Sequence, residues 1–343
     1  MNREIEELKE TAGDYKRWAL EARKKYIELR LRQDKEIRAL YIRAADSVAK
    51  ELRKLALTTP SSFLRKRQLE EMELALRLEA ERLGGNLTKV LERYIEEAVN
   101  AGAGYSQAVM LDLFKKAGMD TYSLQALLST LYSLFATVNR QAVEACWART
   151  KNGLFLSDRI WEKSEKFKAT MRDLIQEAVA IGQDSVKTAR MLQQYVRQGA
   201  QTLARDYPKM MERMKGRIPG DICYEALRLA RTETTAAFGE GTIAAARISP
   251  SYKGMRWILS KSHPLVDICD TLAAHDEGLG EGVYSPGNEP PYPAHPNCLC
   301  ILVPVHEEPE EFVQRLKRWQ ENPTSEPKLE EWYQNIYRQG AVL

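Results

Sequence analysis

No stretch of about 18 consecutive apolar residues occurs in the chain, and it opens on Asn2, Arg3 and Glu4 rather than on the apolar core of a signal peptide. The expectation is a soluble protein that starts in a cytoplasm. Cysteine is scarce, five in 343 residues, and three of the five, Cys269, Cys298 and Cys300, lie close together. That clustering excludes a disulfide framework spread over a secreted domain and points to a local site. Helix breakers are rare at the front, where residues 3–57 contain no proline and one glycine, Gly13. Sustained heptads are also missing, which argues for antiparallel helices over a continuous coiled coil. Neither H-E-x-x-H nor H-x-E paired with P-C-x-x-C is present, so no familiar zinc-enzyme pattern is written in the chain and no enzyme is expected.

What is present divides the chain into three regions. At 343 residues it exceeds what one core usually fills, so more than one domain is expected. Residues 1–150 read as an extended helical region: one long helix over 3–57, a stop at Thr58, Thr59 and Pro60, a second helix capped by Ser61 or Ser62 that ends before Gly84 and Gly85, and further helix punctuated by Gly102, Gly104 and Gly118. Residues 151–305 begin with a helical cluster. Ser157 or Asp158 can cap its first helix, Gly182 ends that helix, Asp184 caps the next, and a third runs over 222–248. Strands are expected at 255–259 and 301–305, separated by about forty residues rich in Gly, Pro and His. Residues 306–343 form an acidic tail of two amphipathic helices, 308–320 and 327–339. The predicted fold class is α+β, predominantly helical, with long N-terminal helices, then a helical cluster, a small sheet and a long loop stapled by Cys and His.

Charge is balanced overall but not locally. Residues 1–67 carry 18 basic against 11 acidic side chains, and residues 306–343 carry 5 against 8. A basic front could lie on packaged DNA, but its acids interleave with its bases as on a solvated helix face.

The chemistry-bearing residues gather between the two strands. His295, Cys298 and Cys300 form H-x-x-C-x-C at the second strand, and Cys269 follows the first. Two separated knuckles of thiolate and imidazole suit a tetrahedral zinc ion, which would tie down a loop of this length; His263 is a substitute fourth ligand. A disulfide from Cys269 to Cys298 or Cys300, or three free thiols packed as small hydrophobes, are the alternatives. Cys146 and Cys223 lie in helical runs and read as core. On the third helix of the cluster, Glu233 shares a stripe with Ala226, Ala230, Ala237 and Gly241, so it either takes a buried partner or reaches solvent.

These residues occur in an order that resembles the Mu F-like head morphogenesis domain of phage minor capsid proteins, over residues 154–305. The likeness is carried by Leu156-Ser157-Asp158-Arg159-Ile160-Trp161, Gly182, Ala230-Arg231-Thr232-Glu233, Trp257, Asp267 with Cys269, Gly282-Val283-Tyr284, and Pro293-Ala294-His295-Pro296-Asn297-Cys298-Leu299-Cys300. Val266 stands where the family often has another cysteine, and Leu299 where it often has arginine. The resemblance implies a structural protein of the virion, near the portal inside the head. Its partners would be the portal protein, with major capsid or scaffolding protein and packaged DNA as further contacts. Head assembly in the host cytoplasm, and DNA packaging or ejection, would be its roles. Arg231, Glu233 and Asp267 are expected in structural polar roles, and the cofactor expected from the cysteine and histidine ligands is one structural zinc ion. A zinc-stapled helical DNA-binding protein is the alternative, and a phage-borne enzyme or effector a further one.

Overall fold

The proline-free, charged front folds as α1 (Arg3–Ala12) and α2 (Lys16–Leu57), joined by a tight turn at Gly13–Tyr15 in which Gly13 takes φ +52°. The computed structural model describes residues 3–57, 66–118, 121–214, 216–261 and 265–338. The expected stop at Thr58, Thr59 and Pro60 and the caps Ser61 and Ser62 lie outside the described residues, as does His263. Pairs along α1 and α2 join opposite charges three or four residues apart, among them Arg3–Glu7, Lys9–Glu6, Lys25–Glu21 and Lys54–Glu51. Such pairs belong to a solvated face and add little stability each.

The next helix corrects the sequence reading. α3 (Lys66–Lys116) runs without interruption through Gly84, Gly85, Gly102 and Gly104, which were expected to break it. Two of the chain's helical glycines mark close approach instead. A Cβ at Gly102 would lie 2.1 Å from the Phe238 carbonyl oxygen, and one at Gly241 would lie 2.1 Å from that of Val99. α3 and α9 (Tyr224–Arg247) therefore meet backbone to backbone, which only glycine permits. Gly118, at φ +76°, follows the C-terminal end of α3.

The remaining helices are α4 (Thr121–Ala148), α5 (Leu156–Ala180), α6 (Ser185–Gln198), and the short α7 (Ala200–Asp206) and α8 (Pro208–Arg213), neither of which the periodicity predicted. Asp158 reaches back to the Phe155 N–H at the start of α5, and Asp184 accepts from the Val186 and Lys187 N–H groups at the start of α6. On α6, Ala189, Leu192 and Val196 are buried as expected, whereas Val186 is exposed.

A three-stranded antiparallel sheet follows in the order β2-β1-β3, with β1 (Tyr252–Ile258) central, β2 (Val283–Tyr284) and β3 (Ile301–His306) at the edges. β1 and β3 pair along their length, Met255 opposite Pro304 and Ile258 opposite Ile301. The tail forms α11 (Pro309–Glu321) and α12 (Pro327–Trp332), anchored by Phe312, Leu316, Leu329 and Trp332. Burying an aromatic such as Phe312 contributes roughly 1.5–3 kcal/mol. The chain is thus α+β and predominantly helical.

Two compact units result, each assembled from separate stretches of sequence. One comprises residues 1–30, 94–148 and 231–343, and contains the sheet. The other comprises residues 31–93 and 149–230 and is helical. In the helical unit Tyr41 packs edge-on to Phe167, and Asp46 of α2 pairs with Arg197 of α6. No helix among the described residues is long and apolar enough to cross a membrane.

Candidate metal centre

Residues 259–300 link the central strand to β3, and each half of that loop is built to present a ligand. In the first half, α10 (Ile268–Ala273) starts at Asp267. Its side chain accepts the Cys269 N–H at 2.7 Å, while Asp270 accepts the Asp267 N–H at 2.8 Å. This reciprocal cap fixes Cys269 in the first turn. The C-terminal end of α10 is tied to β2, where the Tyr284 hydroxyl donates to the Leu272 carbonyl, and β2 to β1, where the Trp257 N–H donates to the Gly282 carbonyl. In the second half, a turn closes from the Cys298 N–H to the His295 carbonyl, with Asn297 in the left-handed region at φ +62°. Asparagine tolerates that conformation better than most residues. The buried Tyr292 hydroxyl then donates to the Cys300 carbonyl at 2.8 Å.

The two halves bring Cys269, His295 and Cys298 together, their ligand atoms all within 4.8 Å of one another. The Cys269 and Cys298 sulfurs are 3.8 Å apart and all five cysteines are free thiols. With Zn–S near 2.3 Å and tetrahedral angles, two ligating sulfurs sit about 3.8 Å apart; a disulfide would bring them to about 2.05 Å. His295 is oriented as a ligand. Its Nδ1 lies 3.0 Å from the Pro296 carbonyl oxygen and so carries the proton. Its Nε2 is buried, lacks a hydrogen-bond partner and stands 3.3 Å from an Asp267 carboxylate oxygen. A lone pair facing a carboxylate is repulsive, and a cation on Nε2, whether a proton or a metal ion, removes the repulsion. The cluster can therefore hold a metal ion, with Asp267 as an outer partner of the imidazole.

Cys300 is adjacent but not equivalent. Its sulfur accepts from the Ser260 N–H at 3.5 Å but lies outside the set of mutually close ligand atoms. Hydrogen bonding from Cys300, reinforced by Cys269 and by the charge of His295, lowers the Cys298 pKa against the opposing effect of burial. Burial, with repulsion from Cys298, raises that of Cys269. One thiol of the group ionises readily and its neighbours hold their protons, which a bound metal would displace.

The three cysteines also belong to a hydrophobic cluster with Met255, Trp257, Tyr284, Tyr292 and Leu302, so the loop is less core-poor than its composition suggested. His275 takes no part in the centre; it stacks on Tyr284 at 4.2 Å. Arg231 is half-buried on α9, whereas Glu233 is 3% exposed, which corrects the alternative in which it reaches solvent. Cys146 and Cys223 are buried as expected.

One contributor went unpredicted. Arg23 of α2 donates from Nη2 to the Leu299 carbonyl, between the last two cysteines, across 276 residues. Its one sequence signal was its place on the apolar stripe of Ala19, Ala22 and Tyr26. No family model, curated protein or solved structure matches this chain.

Proposed function

We propose that this protein is a structural minor capsid protein of a tailed phage, of the Mu F-like head morphogenesis type, whose loop over residues 259–300 is stapled by one zinc ion. The observation that carries the reading is the ordered motif set ending in Pro293-Ala294-His295-Pro296-Asn297-Cys298-Leu299-Cys300. Zinc is held by Cys269, His295 and Cys298, with Cys300 turning in as the fourth ligand. Three thiolates and one imidazole leave no open coordination position, so the ion is structural rather than catalytic. Two further features support the reading. Where the family often has an arginine between the last two cysteines, this chain has Leu299, and Arg23 supplies a guanidinium at that backbone. The acidic tail and the long helices offer docking faces for portal and shell proteins. The intrahelical charge pairs of the basic front favour this role over a duplex DNA-binding one.

Elemental analysis of protein purified under reducing conditions tests the metal, with about one zinc per chain expected for wild type and a loss for Cys298→Ser. A metal-free wild type would remove the zinc staple. Quantifying the protein against portal in purified virions tests the role, a few copies per portal being expected, and its absence from mature heads would sink it. Steep, salt-sensitive affinity for duplex DNA would favour the alternative instead.

A further inference from the structure

Outside the cysteine loop, an aromatic pocket forms where the tail helices α11 and α12 meet α3 and α4. Five rings that line it stand in series, Phe114 of α3, Trp332 of α12, Tyr337, Tyr333 and then Trp319 of α11, with successive centroids 5.7, 5.8, 5.4 and 5.1 Å apart. The two tyrosines lie on the helical turn Tyr333–Tyr337 that continues α12. Phe114 and Trp332 are core residues, 3% and 7% exposed, whereas Trp319, Tyr333 and Tyr337 are half-buried and leave ring surface open. Leu127, Leu316 and Gln320 complete the lining, so no charged side chain lines the pocket. Glu330 stands at its edge, its carboxylate accepting the Trp319 Nε1–H at 2.9 Å.

The polar atoms of the lining are uncommitted. Among the described residues nothing hydrogen-bonds to the hydroxyls of Tyr333 and Tyr337 or to the exposed Gln320 amide. Neither hydroxyl is among the buried unpartnered atoms, so both reach solvent. Open aromatic surface beside free donors suits an occupant that brings apolar rings and unpaired carbonyls. A docking helix brings few, because its carbonyls are spent on its own backbone. A single nucleic-acid strand would stack its bases on such rings but needs cations along its phosphates, and here the edge carries a carboxylate. A proline-rich segment meets both requirements. Proline has no N–H, and a polyproline II helix makes no internal hydrogen bonds, so its carbonyls stand free. The chain is already stiff and loses little freedom on binding.

We propose that this pocket docks a proline-rich segment of a partner protein, bound as a polyproline II helix and flanked by a lysine or arginine. Its proline rings pack on Trp319, Tyr333 and Tyr337, as in other aromatic-lined grooves that take such segments. The tyrosine hydroxyls and the Gln320 amide donate to its carbonyls. The basic flank is selected by charge complementarity with Glu330, which no cation in the lining offsets. The docking depends on neither the zinc staple nor the virion role.

The test is calorimetric titration of the full chain with an oligoproline peptide flanked by arginines, beside a Gly-Ser peptide carrying the same arginines and a leucine-rich amphipathic helical peptide. Saturable binding of the oligoproline alone is expected. Tyr333→Ala should weaken it roughly tenfold or more, as loss of an aromatic anchor does. If that variant does not fold, Tyr333→Phe, which keeps the ring and removes the donor, should weaken it several-fold. Glu330→Gln should lower affinity for the arginine-flanked peptide and leave that for unflanked oligoproline unchanged. Tyr132→Ala, at an exposed tyrosine of α4 that does not line the pocket, should change nothing. No saturation by oligoproline, or equal affinity for the Gly-Ser peptide, would overturn the proposal, the second in favour of charge alone. Tighter binding of the helical peptide would overturn it in favour of a docked helix, and so would an affinity that neither Tyr333 substitution moves.

Discussion

The same substitution, two residues apart on one helix, should have opposite effects. At Gly104 a Cβ meets nothing within 4 Å, so Gly104→Ala replaces the poorest ordinary helix former with the best one and should stabilise by about 0.5–1 kcal/mol. At Gly102 the added carbon would sit 2.1 Å from the Phe238 carbonyl oxygen and 2.8 Å from Thr242 Oγ1. Ordinary contact begins at 3.4 Å, so the two helices must part by more than an ångström, and a backbone carbonyl inside α9 cannot swing aside. Overpacking of this kind costs about 1–3 kcal/mol and here meets main chain rather than a flexible side chain. Set against the same propensity gain, Gly102→Ala should be destabilising by up to about 2 kcal/mol net, leaving the two variants about 1–3 kcal/mol apart. Urea unfolding followed by circular dichroism reads both at once, and the slope should not change if only stability does. Equal stabilisation by the two alanines would refute the backbone-to-backbone packing of α3 on α9.

Three other consequences can be measured. His306 is buried, hydrogen-bonded at both ring nitrogens by Ser106 and Ser251, and burial pushes its pKa down to about 3. The unfolded chain therefore takes up a proton that the folded one refuses, so this contribution to stability is complete above about pH 6.5 and declines as pH falls toward 3. The loss is about 2 kcal/mol at pH 5, and urea midpoints at pH 7.5 and 5 should differ less for His306→Gln than for wild type. Asp267→Ala removes both the cap of α10 and the outer partner of His295, and should weaken zinc binding roughly 10–100-fold in a chelator competition; an unchanged affinity would exclude Asp267 from the centre. Asp184→Ala strips two N–H groups at the start of α6 of their acceptor and should cost about 1 kcal/mol, whereas a neutral result would show that solvent replaces the cap.

Local chemistry was legible in the sequence where it was encoded locally. Asp184 and Gly182 bounded helices as their types require, and the apolar runs at 255–259 and 301–305 paired as strands. Cys269, His295 and Cys298 converged because a capped helix and a turn fix each of them within a few residues. The glycines of α3 were misread because the rule that glycine ends helices concerns isolated segments. In a helix of 51 residues packed along its length, the propensity cost is spread over many contacts, and the missing Cβ becomes the reason for the packing. Arg23 could not be assigned at all, since nothing near it in sequence indicates that its acceptor is Leu299.

The patchwork origin of the sheet-bearing unit bears on how the chain folds as it is made. Arg23 leaves the ribosome 276 residues ahead of its acceptor Leu299. At 5–20 residues per second, the first helices wait roughly 15–55 s before their partner exists. During that interval Leu8, Ala19 and Ala22, all buried in the finished unit, have no β3 beside them. Contacts this distant in sequence also slow the final closure. A ribosome stalled before β3 should therefore display a protease-sensitive, chaperone-binding nascent chain, and release of that binding should coincide with emergence of the last strand.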